Sequence, residues 1–175
     1  MSDHSLPKTL DPFKYADQNK DLQGHIAVHL MSRLTSMLVD SEGVVNIDLE
    51  FGRDEQRLRI LKGKLSAELN LLCQRCLHPV KKTISSEFQL GIVMSDEQAQ
   101  NLPRVYEPLL VEDEKLVLLD VIEEELILSL PMFAYHDDCE PEEYNEGDIE
   151  ESVESEVEET KENPFSVLSE LNLKK

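Results

Sequence analysis

The sequence predicts an α+β domain, an antiparallel β-meander with packing helices, followed by an acidic disordered C-terminal segment and a short terminal helix. Three observations carry this. Apolar and polar residues alternate through three successive segments between residues 44 and 94; an apolar stripe recurs every four residues between 116 and 130; acidic residues dominate from 137 to 162.

Pro7 and Pro12 mark an extended, turn-rich lead. After it, Ile26, Leu30, Leu34 and Leu38 stand at four-residue spacing, which places them on one helical face and predicts an amphipathic helix over about 25–39. The period then changes to two. Val45, Ile47, Leu49 and Phe51 alternate with Asn46, Asp48 and Glu50, the pattern of a strand buried on one side. A polar turn follows at 52–56. A second strand runs through Leu61, Gly63, Leu65, Ala67, Leu69, Leu71 and Cys73, with Lys62 and Lys64 facing water. The third, over 80–94, carries Ile84, Phe88, Leu90 and Ile92 inward and Lys81, Thr83, Ser85, Glu87 and Gln89 outward. Short connections join antiparallel neighbours, so the three form a meander.

Ser95, followed three residues on by Gln98, is a capping-box start for a short helix that Pro103 closes. Leu118, Ile122 and Leu126, beside Leu119 and Leu130, predict an amphipathic helix over 116–130 that stops at Pro131. From 137 to 162 large apolar residues are too few to offset the entropy of ordering the chain. At Asn163 and Pro164 a capping residue and a first-turn proline restart a helix, with Phe165, Leu168 and Leu171 recurring every three residues. The expected division is an α+β domain at 1–136, an acidic disordered linker at 137–162 and a docking helix at 163–175.

Charge is unevenly spread. The net charge is -20. Residues 1–111 hold 13 basic and 15 acidic side chains, residues 112–175 hold 4 and 22, and the stretch 51–82 holds eight basic against three acidic. A basic island therefore precedes an acidic C-terminal third, a pattern that speaks to partners and solubility more than to fold. No stretch reaches the roughly 18 to 20 apolar residues that cross a bilayer, and the polar opening lacks the apolar core of a secretory signal. A cytoplasmic protein without a membrane partner is expected. Three cysteines, two of them in a C-x-x-C pair, argue against a disulfide framework.

That pair, Cys73 and Cys76, supplies two thiolates at a spacing that suits one zinc ion. His136 and Cys139, just past the main helix, would complete a tetrahedral Cys3His set if the fold brings these ends together, and His78 is a further candidate ligand. The alternative is that Cys73 packs inward as a small apolar residue and the other two are free thiols. A thiol oxidoreductase would place its C-x-x-C at a helix N-terminus, whereas this one interrupts a meander. Phosphate loops, nucleophile elbows and H-E-x-x-H motifs are absent from the sequence, so an enzyme is not expected.

The basic island offers Arg53, Arg57, Arg59, Lys62, Lys64, Arg75, Lys81 and Lys82 on adjacent hairpin strands, where they could form one positive face for RNA or an ordinary solvated surface. Phe51 and Phe88 lie on the apolar side, so RNA would be held by backbone charge and shape more than by base stacking. The acidic segment could hold a basic protein, screen the basic face, or simply solubilise the chain.

Four blocks, in this order, resemble the YceD family of large ribosomal RNA subunit accumulation proteins. They are Leu10-Asp11-Pro12 with Gly24 following; Leu72-Cys73-Gln74-Arg75-Cys76-Leu77; the helix from Val121 to Pro131 that contains Glu125-Leu126-Ile127-Leu128-Ser129-Leu130; and Asn163-Pro164-Phe165-Ser166-Val167-Leu168. The resemblance implies a non-catalytic ribosome biogenesis factor supporting synthesis, processing or stability of 23S ribosomal RNA. Its partners would be the 23S precursor or an early large-subunit particle. It also implies a zinc site in many members, built with further cysteines after the leucine-proline segment; here that region is Tyr135-His136-Asp137-Asp138-Cys139, a reduced version.

Overall fold

A computed structural model describes residues 6–111 and 113–140. Of the acidic linker expected at 137–162, residues 141–162 lie outside these residues, as does the terminal helix expected at 163–175. Within them, no helix is long and apolar enough to cross a membrane.

The elements in chain order are β1 (Thr9–Leu10), α1 (Pro12–Asp17), β2 (Asp21–Ala27), a 3-10 turn (Val28–Leu30), α2 (Ser32–Thr35), β3 (Val44–Arg53), β4 (Arg59–Leu72), β5 (Pro79–Val93), α3 (Asp96–Gln100), β6 (Glu107–Leu110), β7 (Leu116–Val117) and α4 (Leu118–Leu128). Five strands form one sheet in the order β2-β3-β4-β5-β6, and β1 pairs with β7 in a second, two-stranded sheet. The predicted meander is β3-β4-β5, antiparallel throughout. β2 extends it on one side, also antiparallel, whereas β6 joins the other side in parallel after the chain crosses over through α3.

Alternation in the three long strands is what the sequence predicts. Val45, Ile47, Leu49, Phe51, Leu61, Leu65, Leu69, Leu71, Ile84, Phe88, Leu90 and Ile92 are buried, while Lys62, Lys64, Lys81, Thr83, Ser85, Glu87 and Gln89 are exposed. The inner face shares one core with Ala16 of α1, Leu34 of α2 and Leu118, Ile122 and Leu126 of α4. Gly63 sits in the middle of that face opposite Phe88, and a Cβ there would lie 2.0 Å from the Phe88 ring, so the missing side chain is the space the ring fills. Among the described residues the outer face is covered at one end, where Leu102 packs on Gly91 of β5, close to the buried Ile60 and Val93.

Two expectations fail near the N-terminus. The run 25–39 is not one helix: His25 and Ile26 belong to β2, which pairs with β3 from Asp21↔Glu50 to Ala27↔Val44, and beyond the 3-10 turn only Ser32–Thr35 is α-helical. Leu30, a member of the predicted stripe, is 57% exposed. The ladder with β3 satisfies these backbone groups cooperatively, and a short run rich in Ser and Thr competes poorly as a helix. The Thr35 and Ser36 hydroxyls in fact donate back to the Ser32 and Arg33 carbonyls. The extended lead, conversely, contains α1. Asp11 is its N-cap, accepting the Lys14 N–H at 3.1 Å, and Pro12 occupies its first turn.

Smaller differences follow the same logic. β3 continues through Arg53, and the turn closes instead at Asp54, whose Oδ1 accepts the Leu58 N–H at 2.8 Å. The main helix begins at Leu118, because Leu116 and Val117 pair with β1. Ser95 is the N-cap as expected, its hydroxyl accepting the Gln98 N–H, but the Gln98 side chain accepts the N–H of Met94, one residue before the position a capping box uses.

Candidate metal centre

β4 ends at Leu72, and the next residues fold into a tight turn before β5. Cys73 N–H donates to the His78 carbonyl at 2.9 Å and Leu77 N–H to the Cys73 carbonyl at 3.0 Å. Leu77 takes a φ of 55°, in the left-handed region that a non-glycine residue adopts at a cost, and this reversal turns the chain into β5. The other half of the site arrives from α4. Beyond Pro131 the chain passes the hairpin tip, where Cys73 and Ala134 form an isolated parallel bridge and Gln74 N–H donates to the Ala134 carbonyl at 2.8 Å. Arg75 fastens the same junction, donating to the Cys139 carbonyl at 3.0 Å and lying 5.5 Å from the Tyr135 ring centre.

These contacts bring Cys73, Cys76, His136 and Cys139 together, with one ligand atom from each lying within 4.8 Å of all the others. Cys73 Sγ is 3.6 Å from Cys139 Sγ, and Cys76 Sγ is 3.4 Å from His136 Nδ1. Ligands at ordinary zinc bond lengths stand about 3.8 Å apart for two sulfurs and about 3.5 Å for sulfur and nitrogen along the edges of a tetrahedron. The two short contacts match those edges. The second ring nitrogen, His136 Nε2, is 3.1 Å from the Pro79 carbonyl. Its proton therefore belongs on Nε2 and donates to that oxygen, leaving the Nδ1 lone pair aimed at the sulfurs, as in histidines that bind metals. The four residues could hold a metal ion. His78 contributes its carbonyl to the turn, and its ring is not among the clustered ligand atoms.

The thiols are electrostatically unequal. Burial pushes the Cys73 thiol up, but the backbone N–H groups of Cys76 and Arg75, together with His136, outweigh it and bring its pKa down to about 5. Burial raises the Cys139 thiol, and its neighbours Cys73 and Cys76 raise it further. Three sulfurs this close resist being thiolates together until a cation stands among them.

The basic island is not one face. Arg53 and Arg59 lie side by side at the end of the β3-β4 ladder, and both are bound by Asp17 of α1, at 2.7 Å in each case. Arg59 also lies over the Phe13 ring. Arg57 is in the turn between the strands with a φ of 67°, and Arg75 belongs to the cysteine turn. Lys62, Lys64 and Lys81 do share the solvent face, but interleaved with Asp48, Glu50, Glu68 and Glu87. Lys64 pairs with Glu87 at 3.3 Å and Lys81 with Glu68 at 3.7 Å. Lys82 stands opposite Leu69 and so projects to the inner side of the sheet. Sequence counting registered the positive residues but not the acids that strand register sets between them.

Sequence reading also missed the groups that brace the four ligands. Arg75 and Tyr135 carried only a weak signal, their position beside the ligands, and the Pro79 carbonyl carried none, since every residue has one.

Comparison with known proteins bears on the whole chain. A family model described as "Large ribosomal RNA subunit accumulation protein YceD" matches residues 61–172. A protein of Haemophilus influenzae with the same description is 35% identical over 178 residues, an alignment covering 99% of this chain and 100% of the relative. No solved structure matches the chain.

Proposed function

The chain belongs to the YceD family of large ribosomal RNA subunit accumulation proteins, and from that membership we propose that it is a cytoplasmic ribosome biogenesis factor that supports accumulation of 23S ribosomal RNA. It acts on the 23S precursor or an early large-subunit particle, by favouring synthesis, processing or stability of the RNA. The observation that carries this reading is the end-to-end similarity to a relative of that description, which includes the cysteine turn, α4 and the C-terminal segment.

The role is one of binding and not of catalysis. The one cluster of metal-ligating side chains among the described residues offers four protein ligands to a single point, and a four-ligand site leaves no open position for substrate. Cys73, Cys76, Cys139 and His136 Nδ1 would hold a zinc ion there. The ion would neutralise the thiolates and tie the β4-β5 hairpin tip to the segment after α4. Residues 1–136 form the binding domain in this reading, joined through Cys139 to the start of an acidic linker at 137–162, with 163–175 as a docking helix.

RNA contact, if made through the sheet, falls to Lys62, Lys64 and Lys81. Arg53, Arg57, Arg59 and Arg75 would contribute at its margins and Lys82 from the other face. A second reading is favoured by the 22 acidic against 4 basic residues of 112–175. Here the tail captures a basic ribosomal protein and RNA is never touched.

The deciding experiment is the ratio of 23S to 16S ribosomal RNA, with precursors, in cells depleted of the protein and in cells with it restored. Selective, reversible loss of 23S is expected. An unchanged ratio overturns the proposal.

A further inference from the structure

β5 is much longer than its second neighbour. Its fifteen residues pair with β4 from Pro79 to Gly91, but β6 covers the opposite side only from Leu90 to Val93. Among the described residues, no backbone hydrogen bond is made on the free side of residues 80–89. An exposed row of unpaired N–H and C=O groups at a sheet edge is a template for another strand.

The surroundings of this edge are shaped to receive one. Two cavities of about 630 and 520 Å³ run along it and share Ser129. Phe88 lines the first and Ile84 the second, and the opposite wall is formed by Leu128 and Phe133, from the end of α4 and the segment after it. Leu128 is 67% exposed, Phe133 58% and the adjacent Met132 87%, so a sizeable apolar surface stands open beside an open backbone edge.

The charge at one end identifies the occupant. The first cavity is lined by five carboxylates, Asp48, Glu50, Glu87, Glu107 and Glu125, against two lysines, Lys62 and Lys64, and Lys64 is already paired with Glu87. Glu125 is only 8% exposed as a residue, and no described residue hydrogen-bonds its carboxylate, whose oxygens are not sealed from solvent. Burial, with Glu107 and Glu124 nearby, holds its carboxyl above the ordinary range. A lining in which carboxylates outnumber cations favours a cationic side chain, which can hydrogen-bond Glu107 and Glu125.

We propose that the free edge of β5 binds an extended polypeptide segment as an added strand, with apolar side chains against Leu128, Phe133, Phe88 and Ile84 and a lysine or arginine reaching Glu107 and Glu125. Main-chain hydrogen bonds supply affinity, and the alternation of apolar and basic side chains supplies selectivity. A nucleic acid has no polypeptide backbone to continue the ladder, and carboxylates outnumber lysines in the lining that its phosphates would meet. The inference goes beyond the role in 23S accumulation and does not depend on it.

The test uses the full chain and a synthetic ten-residue peptide alternating valine and lysine, with a valine-glutamate peptide as control. Binding is measured by calorimetry and located by amide hydrogen exchange. The basic peptide should bind and slow exchange within residues 80–89, and the acidic one should not. The double variant Leu128→Glu, Phe133→Glu alters exposed residues only, so the fold survives, and it should weaken binding by about tenfold or more. Glu125→Gln should weaken it less and reduce its salt dependence. No binding of the basic peptide overturns the proposal, as does binding that protects only residues 141–175, or affinity unchanged in both variants. Protection of the same edge by a single-stranded oligoribonucleotide would overturn it in favour of RNA.

Discussion

Glu123 of α4 caps and clamps Arg33 of α2. Its Oε1 accepts the Arg33 backbone N–H at 2.7 Å and that of Leu34 at 3.0 Å, while Oε2 accepts the Arg33 side-chain Nε at 3.1 Å. The same guanidinium reaches Glu124 at 2.6 Å and the Asp120 carbonyl at 3.3 Å. Burial alone would push the Glu123 carboxyl up, but the Leu34 N–H and Arg33 outweigh it and hold it below its ordinary value. Glu123→Ala leaves two amides at the start of α2 without their acceptor. It should cost about 2–3 kcal/mol, read from urea unfolding, with Arg33→Ala costing less because the amide bonds to Glu123 remain.

Asp17 provides a pH signature. Held by Arg59 and Arg53, its carboxyl lies well below the ordinary range. A carboxyl lowered in the folded state contributes stability that is present above its unfolded pKa, roughly 3.9, and is lost as pH falls through the folded value. Asp17→Asn should therefore be less stable than wild type near neutral pH, with the gap closing below about pH 4. Thermal melts of both proteins across that window check it. The gap should also shrink in high salt, since all three partners are partly exposed.

Metal binding at the cysteine site is read by stoichiometry and spectrum. The purified chain should bind one zinc per molecule, and cobalt in its place should give the visible bands of tetrahedral thiolate coordination. Cys139→Ala and His136→Ala should each abolish tight binding, whereas His78→Ala should leave it intact. Chelation should lower the melting temperature of wild type but not of Cys139→Ala.

Charge reversal separates the faces of the sheet. Lys62→Glu, Lys64→Glu and Lys81→Glu together should reduce co-sedimentation with large-subunit precursors by about tenfold if RNA is held there, and Lys82→Glu alone should change it little. Unchanged co-sedimentation of the triple variant, with loss on deleting 140–162, would favour capture of a basic protein through the acidic tail.

The three long strands and α4 were legible because burial on one face imposes a period, two in a strand and nearly four in a helix, and these segments are long enough to repeat it. The run at 25–39 misled for a related reason. Ile26, Leu30, Leu34 and Leu38 fit a helical stripe, yet β3 stands within reach to pair with Asp21–Ala27, and no local pattern reports the presence of a neighbour. Asp11-Pro12 was a readable helix start that a lead with two prolines obscured.

Residue order alone settled which side chains face inward along β3, β4 and β5, because alternation of Cβ direction is a property of the strand itself. It also supplied the metal-ligating residue types, as two separated pairs. Tertiary structure decided whether those pairs meet: the Cys73↔Ala134 bridge and the Gln74 bond to Ala134 carry His136 and Cys139 to the hairpin tip. It also decided that the basic residues divide among several surfaces, since strand register places Asp48 and Glu87 beside Lys64, and α1 brings Asp17 between Arg53 and Arg59. Such contacts join residues far apart in the chain, and their geometry exists only once the sheet and its helices have packed around one core.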